Sequence, residues 1–324
     1  QPLQLGNYVP NTVAFNHVGL GSANGYYIRG LGSTDSIATV DPAVGTYLDG
    51  IYIPRQTANN FGFFDVDHID VLRGPQGSIF GRNTSGGAID IVLNKPAREI
   101  AGFGEFSYGA YNRKTGRASL DLPLSAGIGL KLSGYIQDDN GYVRNTTTGQ
   151  RLNDSDGAGL RLALRLDIAP GLEWNGSVAY IRADGESLFN FKCDPASPAN
   201  CNGRFATTGL QTTIASYAPL VIAGDKASQG LGNRTDTVIY ASNLEWGGEA
   251  AKLNLITGYV DLRHRYGLDF ANGRAFPNVS APVPAVQGYP LGGFTQLDDG
   301  TSRQFSQEVR LSGRLFDGGF DYVA

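Results

Sequence analysis

The sequence contains no methionine, not even at position 1. A translated chain begins with Met, so a processed or cut chain is expected. No apolar stretch opens it, so a signal peptide is absent or already removed. The last residues, 317–324, stop just after a turn signal, as if inside a strand. The chain is therefore read as truncated at both ends.

Other scarcities narrow the function classes. Charged residues make up 17% of the chain and the net charge is -4, below the usual quarter of residues. With no block of like charge there is no basic arm, and no nucleic-acid partner is expected. No run of 18 apolar residues exists, which excludes a transmembrane helix. A barrel strand needs only about 10 alternating residues, so a membrane is not excluded. The three histidines, His17, His68 and His264, lack metal-ligand spacing. The loop Asp154-Ser155-Asp156-Gly157 lacks the remaining positions of a calcium-binding loop. No metal and no cofactor is expected. No Ser/His/Asp grouping has an elbow context and no motif places a carboxylate pair, so the chain is not read as an enzyme. The only two cysteines, Cys193 and Cys201, are eight positions apart, which suits a short bridged loop in an oxidising compartment or two free thiols.

What is abundant is glycine, 45 of 324 residues, with 16 Tyr and 16 Phe. Together with alternation, this is a β-rich signature. Two regimes follow one another. Residues 1–97 are Gly-rich and irregular, with short strand-like pieces at 25–29, 44–49, 69–73 and 88–93 and a helical turn expected over 61–66. Lys95-Pro96 closes this block. From about Phe103 the pattern becomes long alternating strands. Leu160, Leu162, Leu164, Leu166 and Ile168 share one face, with Arg161, Ala163, Arg165 and Asp167 on the other. Residues 128–137, 117–122 and 308–312 alternate in the same way. About eight strands and the start of a ninth are expected.

The connections alternate as well. Short ones fall near 123–127, 169–171, 247–249 and 317–319, and long ones at about 138–157, 184–233 and 267–302. Short turns at one end and long loops at the other is the pattern of a transmembrane β-barrel. Trp174 and Trp246 flank short turns, which places both amphipathic rings at one rim. A soluble β-sandwich with one buried face is the competing architecture. Eight strands would close a small barrel, but its lumen has no room for the preceding block, so a larger barrel fits better.

The first block carries four ordered motifs: Tyr27-Ile28-Arg29-Gly30, Val44 to Ile51 (VGTYLDGI), Val71 to Gly77 (VLRGPQG) and Phe80 to Ile89 (FGRNTSGGAI). Gly74, Gly77, Gly81, Gly86 and Gly87 permit φ > 0 and close backbone approach, and Pro75 fixes a turn. A phosphate-binding loop requires Lys then Ser or Thr after its last glycine; here Arg82-Asn83 follows Gly81, which argues against it.

Over most of residues 20–97 this block resembles the plug domain of TonB-dependent outer-membrane receptors. The resemblance implies an α+β plug (1–97) followed by antiparallel transmembrane β-barrel strands (98–324), the first part of what in the family is a 22-stranded barrel. It implies import of a scarce ligand, most simply a ferric siderophore or similar chelate, energised by TonB with its ExbB/ExbD complex. The protein would sit as a monomer among the lipids of a Gram-negative outer membrane. A passive porin or adhesin is the alternative, with the plug motifs against it. The motif residues that carry the resemblance are Arg29, Gly30, Asp49, Gly50, Arg73, Gly74, Pro75, Gly77, Gly81, Arg82, Gly86 and Gly87. It further implies that Arg29 and Arg73 pair with glutamates on the inner barrel wall and lock the plug. Glu308, on the polar face of its strand, is the partner expected. Ligand contact would fall on the long loops and plug tips, with Arg55, Gln56, Phe189, Phe191, Tyr217 and Phe270 as the residues expected to face it.

Overall fold

The computed structural model describes residues 4–16, 23–33, 40–59, 64–145, 149, 151–185, 206–207, 232–248, 250–269, 295–315 and 320–324. The N-terminal block opens with a single helical turn, α1 (Leu5–Tyr8), then β1 (Thr12–Asn16), β2 (Asn24–Ile28) and β3 (Leu31–Gly32), which form one antiparallel sheet in that order. A second sheet holds β4 (Val44–Leu48), β5 (Ile51–Tyr52), β6 (Val66–Arg73) and β7 (Gly87–Leu93), ordered β5-β4-β7-β6. Strands β4 and β7 are buried along nearly their whole length, which suits their Val, Ile and Leu content. They pair in parallel, while β6 pairs antiparallel with β7. The parallel pair needs a crossover, and residues 49–86, with β5, β6 and the short helix α2 (Gly77–Phe80), supply it. The helical turn expected to reach residue 66 does not do so. Val66 opens β6, and residues 61–63 lie outside the described residues.

Two positions show why the motif is glycine-rich. Gly87 has φ +152°, and a Cβ there would lie 2.3 Å from the Leu72 carbonyl oxygen across the sheet and 2.8 Å from Ile28 Cδ1. Asp49 and Gly50, with φ of 51° and 77°, make the tight turn between β4 and β5, since two successive positive φ values match the twist of a two-residue hairpin. Gly77 opens α2 instead, and Gly86 is squeezed between Leu31 and Val44.

The second block begins with β8 (Ala101–Tyr108), β9 (Lys114–Ser125) and β10 (Ile128–Asp138). Next come the short β11 (Val143–Asn145) and β12 (Arg151–Leu152), then β13 (Asp156–Ala169), β14 (Leu172–Gly185) and the short β15 (Ala206–Thr207). Four more follow: β16 (Gly232–Gly247), β17 (Lys252–Asp269), β18 (Thr295–Leu315) and β19 (Phe320–Val323). Nine of these form one antiparallel sheet, β19-β18-β17-β16-β14-β13-β10-β9-β8, each main strand beside its sequence neighbour. Strands β8 and β19 are its two edges, so the sheet is a section of wall and not a closed ring. Strands β11, β12 and β15 form a separate small sheet at the long-connection end, with Val143 and Leu152 fully buried in it. The long connection expected at 138–157 is thus partly built. The one expected at 267–302 is shorter than expected, because residues 295–302 continue β18 in register with β17. That part, Thr295 to Ser302, has Leu297 as its one large apolar residue, so apolar alternation could not reveal it.

Alternation along the wall matches the two environments it separates. Leu160, Leu162 and Ile168 are exposed on the outer face, while Arg161, Ala163 and Arg165 are buried on the inner one. The inner face packs on the plug. Tyr26, Ile28, Leu48, Ile51, Ile89 and Ile91 of the plug share one core with Ile181, Ile239, Ile256 and Val260 of the wall. Gly258 makes room for this contact, since a Cβ there would lie 2.6 Å from Ile51 Cγ2. Trp174 pairs with Leu244 and Trp246 with Leu172, so both indoles lie at the short-turn rim.

Candidate functional site

The plug meets the wall through charge as well as apolar surface. Asp65 lies just before β6, and its side chain is 1% exposed. Its carboxylate stands 3.2 Å from Lys131 Nζ on β10 and 3.2 Å from Arg161 Nη1 on β13. Lys131 also reaches Asp121 of β9 at 2.8 Å. Arg161 donates to the Asn94 carbonyl at 3.0 Å and approaches Asp49 at 3.8 Å. Asp49 in turn accepts the Leu93 backbone N–H at 2.8 Å. Three carboxylates and two cations thus share a nearly dry seam between plug and wall. Asp65 and Asp121 each stand within 3.2 Å of a cation, which such burial demands, while Asp49, a quarter exposed, has only the 3.8 Å approach of Arg161.

Below this seam the connection between the two blocks is tied down residue by residue. Arg165 Nη1 donates to the Pro96 carbonyl at 2.8 Å, and the Ala97 N–H donates to Asp121 at 2.8 Å. Arg98 binds Asp167, and Lys95 lies 3.4 Å from Glu173. On the far side of the plug-wall contact, Gln304 of β18 donates to the Tyr52 carbonyl at 2.8 Å. The turn after β5 is pinned differently. Asn59 accepts the Asn24 N–H at 2.8 Å and donates to its carbonyl at 2.9 Å, imitating a strand pairing.

Two plug carboxyls are shifted by their surroundings. Burial pushes Asp49 up, opposed by Arg161 and the Leu93 N–H. Burial also pushes Asp90 up, with Asp70 adding to the effect and the Gly50 N–H and Arg310 opposing it. Tyr47 is raised by burial, with Tyr52, Asp90 and Glu308 adding to it.

The residues expected from the motifs do not gather in one place. Asp49 and Gly50 sit at the seam, with a Cβ on Gly50 3.6 Å from Ile256 Cδ1 of the wall. Arg29, Arg73, Pro75, Gly81 and Arg82 are exposed. Arg29 lies beside Gly74, 3.7 Å from where a Cβ would stand. The expected pairing with Glu308 is not what the wall shows: Glu308 is engaged by Arg310 two residues along β18, at 2.7 Å. That pair still lies on the plug side of the wall, since Glu308 stands opposite Ile256, a member of the core shared with the plug. Gln56, expected to face ligand, is 6% exposed instead. It lies in a one-turn 3-10 helix that packs toward β16 and β17. Arg55 is half-buried. Cys193, Cys201, Phe189, Phe191, Tyr217 and Phe270 lie outside the described residues, as does His17.

Asp65, Asp121, Lys131 and Arg161 were not singled out from the sequence. A usable signal existed for three of them. They are charges on the inner face of three consecutive strands, with Lys131 directly opposite Asp121 in register and Arg161 opposite Ser133. Asp65 carries no such signal, because it lies in an irregular segment with φ 60°.

Residues 3–88 match the family model described as TonB-dependent Receptor Plug Domain. Among curated proteins, the chain is 30% identical over 151 residues to the pesticin receptor of Yersinia enterocolitica, an alignment covering 44% of this chain and 21% of that protein. The chain therefore spans about a fifth of the length of that relative. Among solved structures it resembles the ferric yersiniabactin uptake receptor FyuA from Yersinia pestis, with a TM-score of 0.72 at 18% identity, covering 96% of this chain and 42% of that one. It also resembles the ferric citrate transporter FecA in its unliganded form, with a TM-score of 0.66 at 14% identity over 97% of this chain and 42% of that one. At these identities the structural likeness speaks for the fold.

Proposed function

We propose that this chain, which belongs to the TonB-dependent receptors, is the plug and part of the barrel wall of an importer that moves a scarce chelate across the outer membrane of a Gram-negative bacterium. The observation that carries the reading is a plug of matching family seated on the inner face of a wall whose outer face is apolar. A plug fixed by a dry ion-pair seam and a shared apolar core closes a lumen. Passage then requires work on the plug, and no covalent step. In this reading TonB, energised by ExbB/ExbD, supplies that work from the periplasmic side. The protein acts on transport and not as an enzyme.

A ferric siderophore or similar metal chelate is the ligand class proposed. Its support is the likeness to proteins named for pesticin, ferric yersiniabactin and ferric citrate. Arg29 and Arg73 are proposed as a second latch. Both are exposed and not covered by the nine strands, so their proposed partners belong to wall outside this sheet. The test is uptake of a radiolabelled ferric siderophore panel by cells with and without TonB. The reading expects uptake of at least one member only in cells with TonB and an energised inner membrane. Equal uptake without TonB would leave a passive barrel as the better description.

A further inference from the structure

The inner face of the wall changes character along β16 and β17. On β16 it runs from Thr235 and Thr237 through Ile239 and Ala241 to Asn243 and Glu245. On β17, in register, it runs from His264 through Leu262, Val260, Gly258 and Ile256 to Asn254. Both strands thus read polar, apolar, polar from the long-connection end to the short-turn rim. The apolar collar is thin on β16, where Ile239 to Ala241 spans about 7 Å of strand. Buried polar atoms without a hydrogen-bond partner among the described residues stand on both sides of it. Above are His264 Nδ1 and, on the plug, Gln56 Oε1 and Thr57 Oγ1. Below are the Oδ1 atoms of Asn175, Asn243 and Asn254, with Asn175 directly opposite Asn243. Arg165, opposite Asn175, adds Nε and Nη2 to the lower set. Buried groups of this kind are normally paired. They suit water, or the hydroxyl and carboxylate groups of a passing solute.

One hairpin of the plug closes this collar. Ile51 of β5 fills a notch at Gly258, where a Cβ would lie 2.6 Å from Ile51 Cγ2 and 2.8 Å from Ser306 Oγ. Gly50, in the turn before it, lies over Ile256. Strand β5 is the edge of the plug sheet and pairs with β4 at two positions, Tyr47–Tyr52 and Leu48–Ile51. The Ile53 N–H to Thr46 carbonyl bond, at 2.9 Å, extends that pairing by one step. So short an edge can leave its place while β4, β7 and β6 stay paired. The other side of the plug–wall contact is fastened differently. There Asp65 holds β10 and β13, Arg165 holds Pro96, and Asp121 of β9 holds Ala97. The hairpin therefore faces the part of the wall that is sealed by apolar contact and not by charge.

We infer that the β4–β5 hairpin is the gate of a passage between plug and wall along β16 and β17, closed by Ile51 seated in the notch at Gly258. An apolar constriction of this kind excludes water and with it polar solutes. Withdrawal of Ile51 joins the polar surface above the collar to the one below. The passage then takes a solute rich in hydroxyl and carboxylate groups, which Arg165, Asn175, Asn243 and Asn254 hydrogen-bond in turn on the way to the short-turn rim. The gate rests on the import reading, since only a wall that encloses a lumen gives the collar two sides to separate.

The test is potassium chloride conductance of the receptor containing this chain in planar bilayers, with a sulfonated methanethiosulfonate as the thiol probe. Ile51→Ser, which wets the notch, should give a steady leak that the parent lacks. Ile51→Val, which keeps the notch apolar, should restore the closed state. The probe then locates the leak. In the Ile51→Ser receptor, adding Asn243→Cys should let the reagent remove most of the current. Adding Ser119→Cys instead, on the inner face of β9 beside the seam, should leave the current as it was. The Ile51→Ser receptor without a new cysteine controls for Cys193 and Cys201, and its current should not respond to the reagent. A silent Ile51→Ser receptor, a parent that leaks equally, or block at Ser119→Cys as strong as at Asn243→Cys would each overturn the gate. Heat-modifiable gel migration separates the two levels of claim. A receptor that shows it but stays silent as Ile51→Ser refutes only the gate, whereas one that never folds as a barrel refutes the import reading and the gate with it.

Discussion

Asp65 divides its carboxylate between two wall cations, one oxygen 3.2 Å from Lys131 and the other 3.2 Å from Arg161. All three side chains are at least nine-tenths buried. Removing Asp65 leaves Arg161 with the Asn94 carbonyl and, as its one carboxylate, the more distant Asp49, and leaves Lys131 with Asp121. Breaking a buried pair from one side costs about 3–5 kcal/mol. Asp65→Asn should therefore lower plug stability by that order in urea unfolding followed by a probe on the plug. Asp65→Asn combined with Arg161→Met should cost less than the two single changes summed, because each removes the other's stranded charge.

Gly87→Ala tests the fit within the plug. The new methyl would meet the Leu72 carbonyl at 2.3 Å, on a backbone with φ +152°. A residue forced into such a region costs about 1–3 kcal/mol before the clash is counted. Thermal melting should show the loss, and hydrogen exchange should show it concentrated in β6 and β7.

The half-buried Asp90 predicts a pH dependence. Its carboxyl titrates above the ordinary value of 3.8 in the folded state, chiefly through burial. The folded protein then binds this proton more tightly than the unfolded chain. This contribution favours folding most below the ordinary value and is lost as pH rises through the raised one. Asp90→Asn should flatten stability against pH above about 3.8 relative to the parent. The difference between the two unfolding curves should be largest at neutral pH, with the variant favoured. A variant that tracks the parent across that range would show that Asp90 titrates normally.

The two tryptophans report on the membrane reading. Trp174 and Trp246 lie on paired strands at the short-turn rim, where amphipathic rings prefer the headgroup layer. Their fluorescence should be quenched most by lipids brominated near the headgroup and least by those brominated at the chain end. Quenching that peaks at the bilayer centre would place that rim wrongly.

Much of the fold was legible because alternation and motif glycines are local signals. The Leu160–Ile168 run assigns its own faces, and VLRGPQG and GRNTSGGAI mark the plug without tertiary information. The seam was less legible because it depends on register. Lys131 and Asp121 become neighbours only once β9 and β10 are aligned, and Asp65 joins them from a segment with no period. Gln56 misled for a related reason: a polar residue beside Arg55 reads as a tip, yet Asn59 and Asn24 fold that turn inward. The upper part of β18 was hidden because a stretch with Leu297 as its one large apolar residue has no apolar rhythm.

The central claim is that the dry seam around Asp65 holds the plug closed in the wall. Ion conductance of the receptor in planar bilayers tests it most directly. The parent and Asp121→Asn, which leaves Asp65 bridging both cations, should stay closed, whereas Asp65→Asn should show frequent openings. An Asp65→Asn receptor as silent as the parent, with the fold verified by gel migration, would contradict the claim and shift the lock to Arg29 and Arg73.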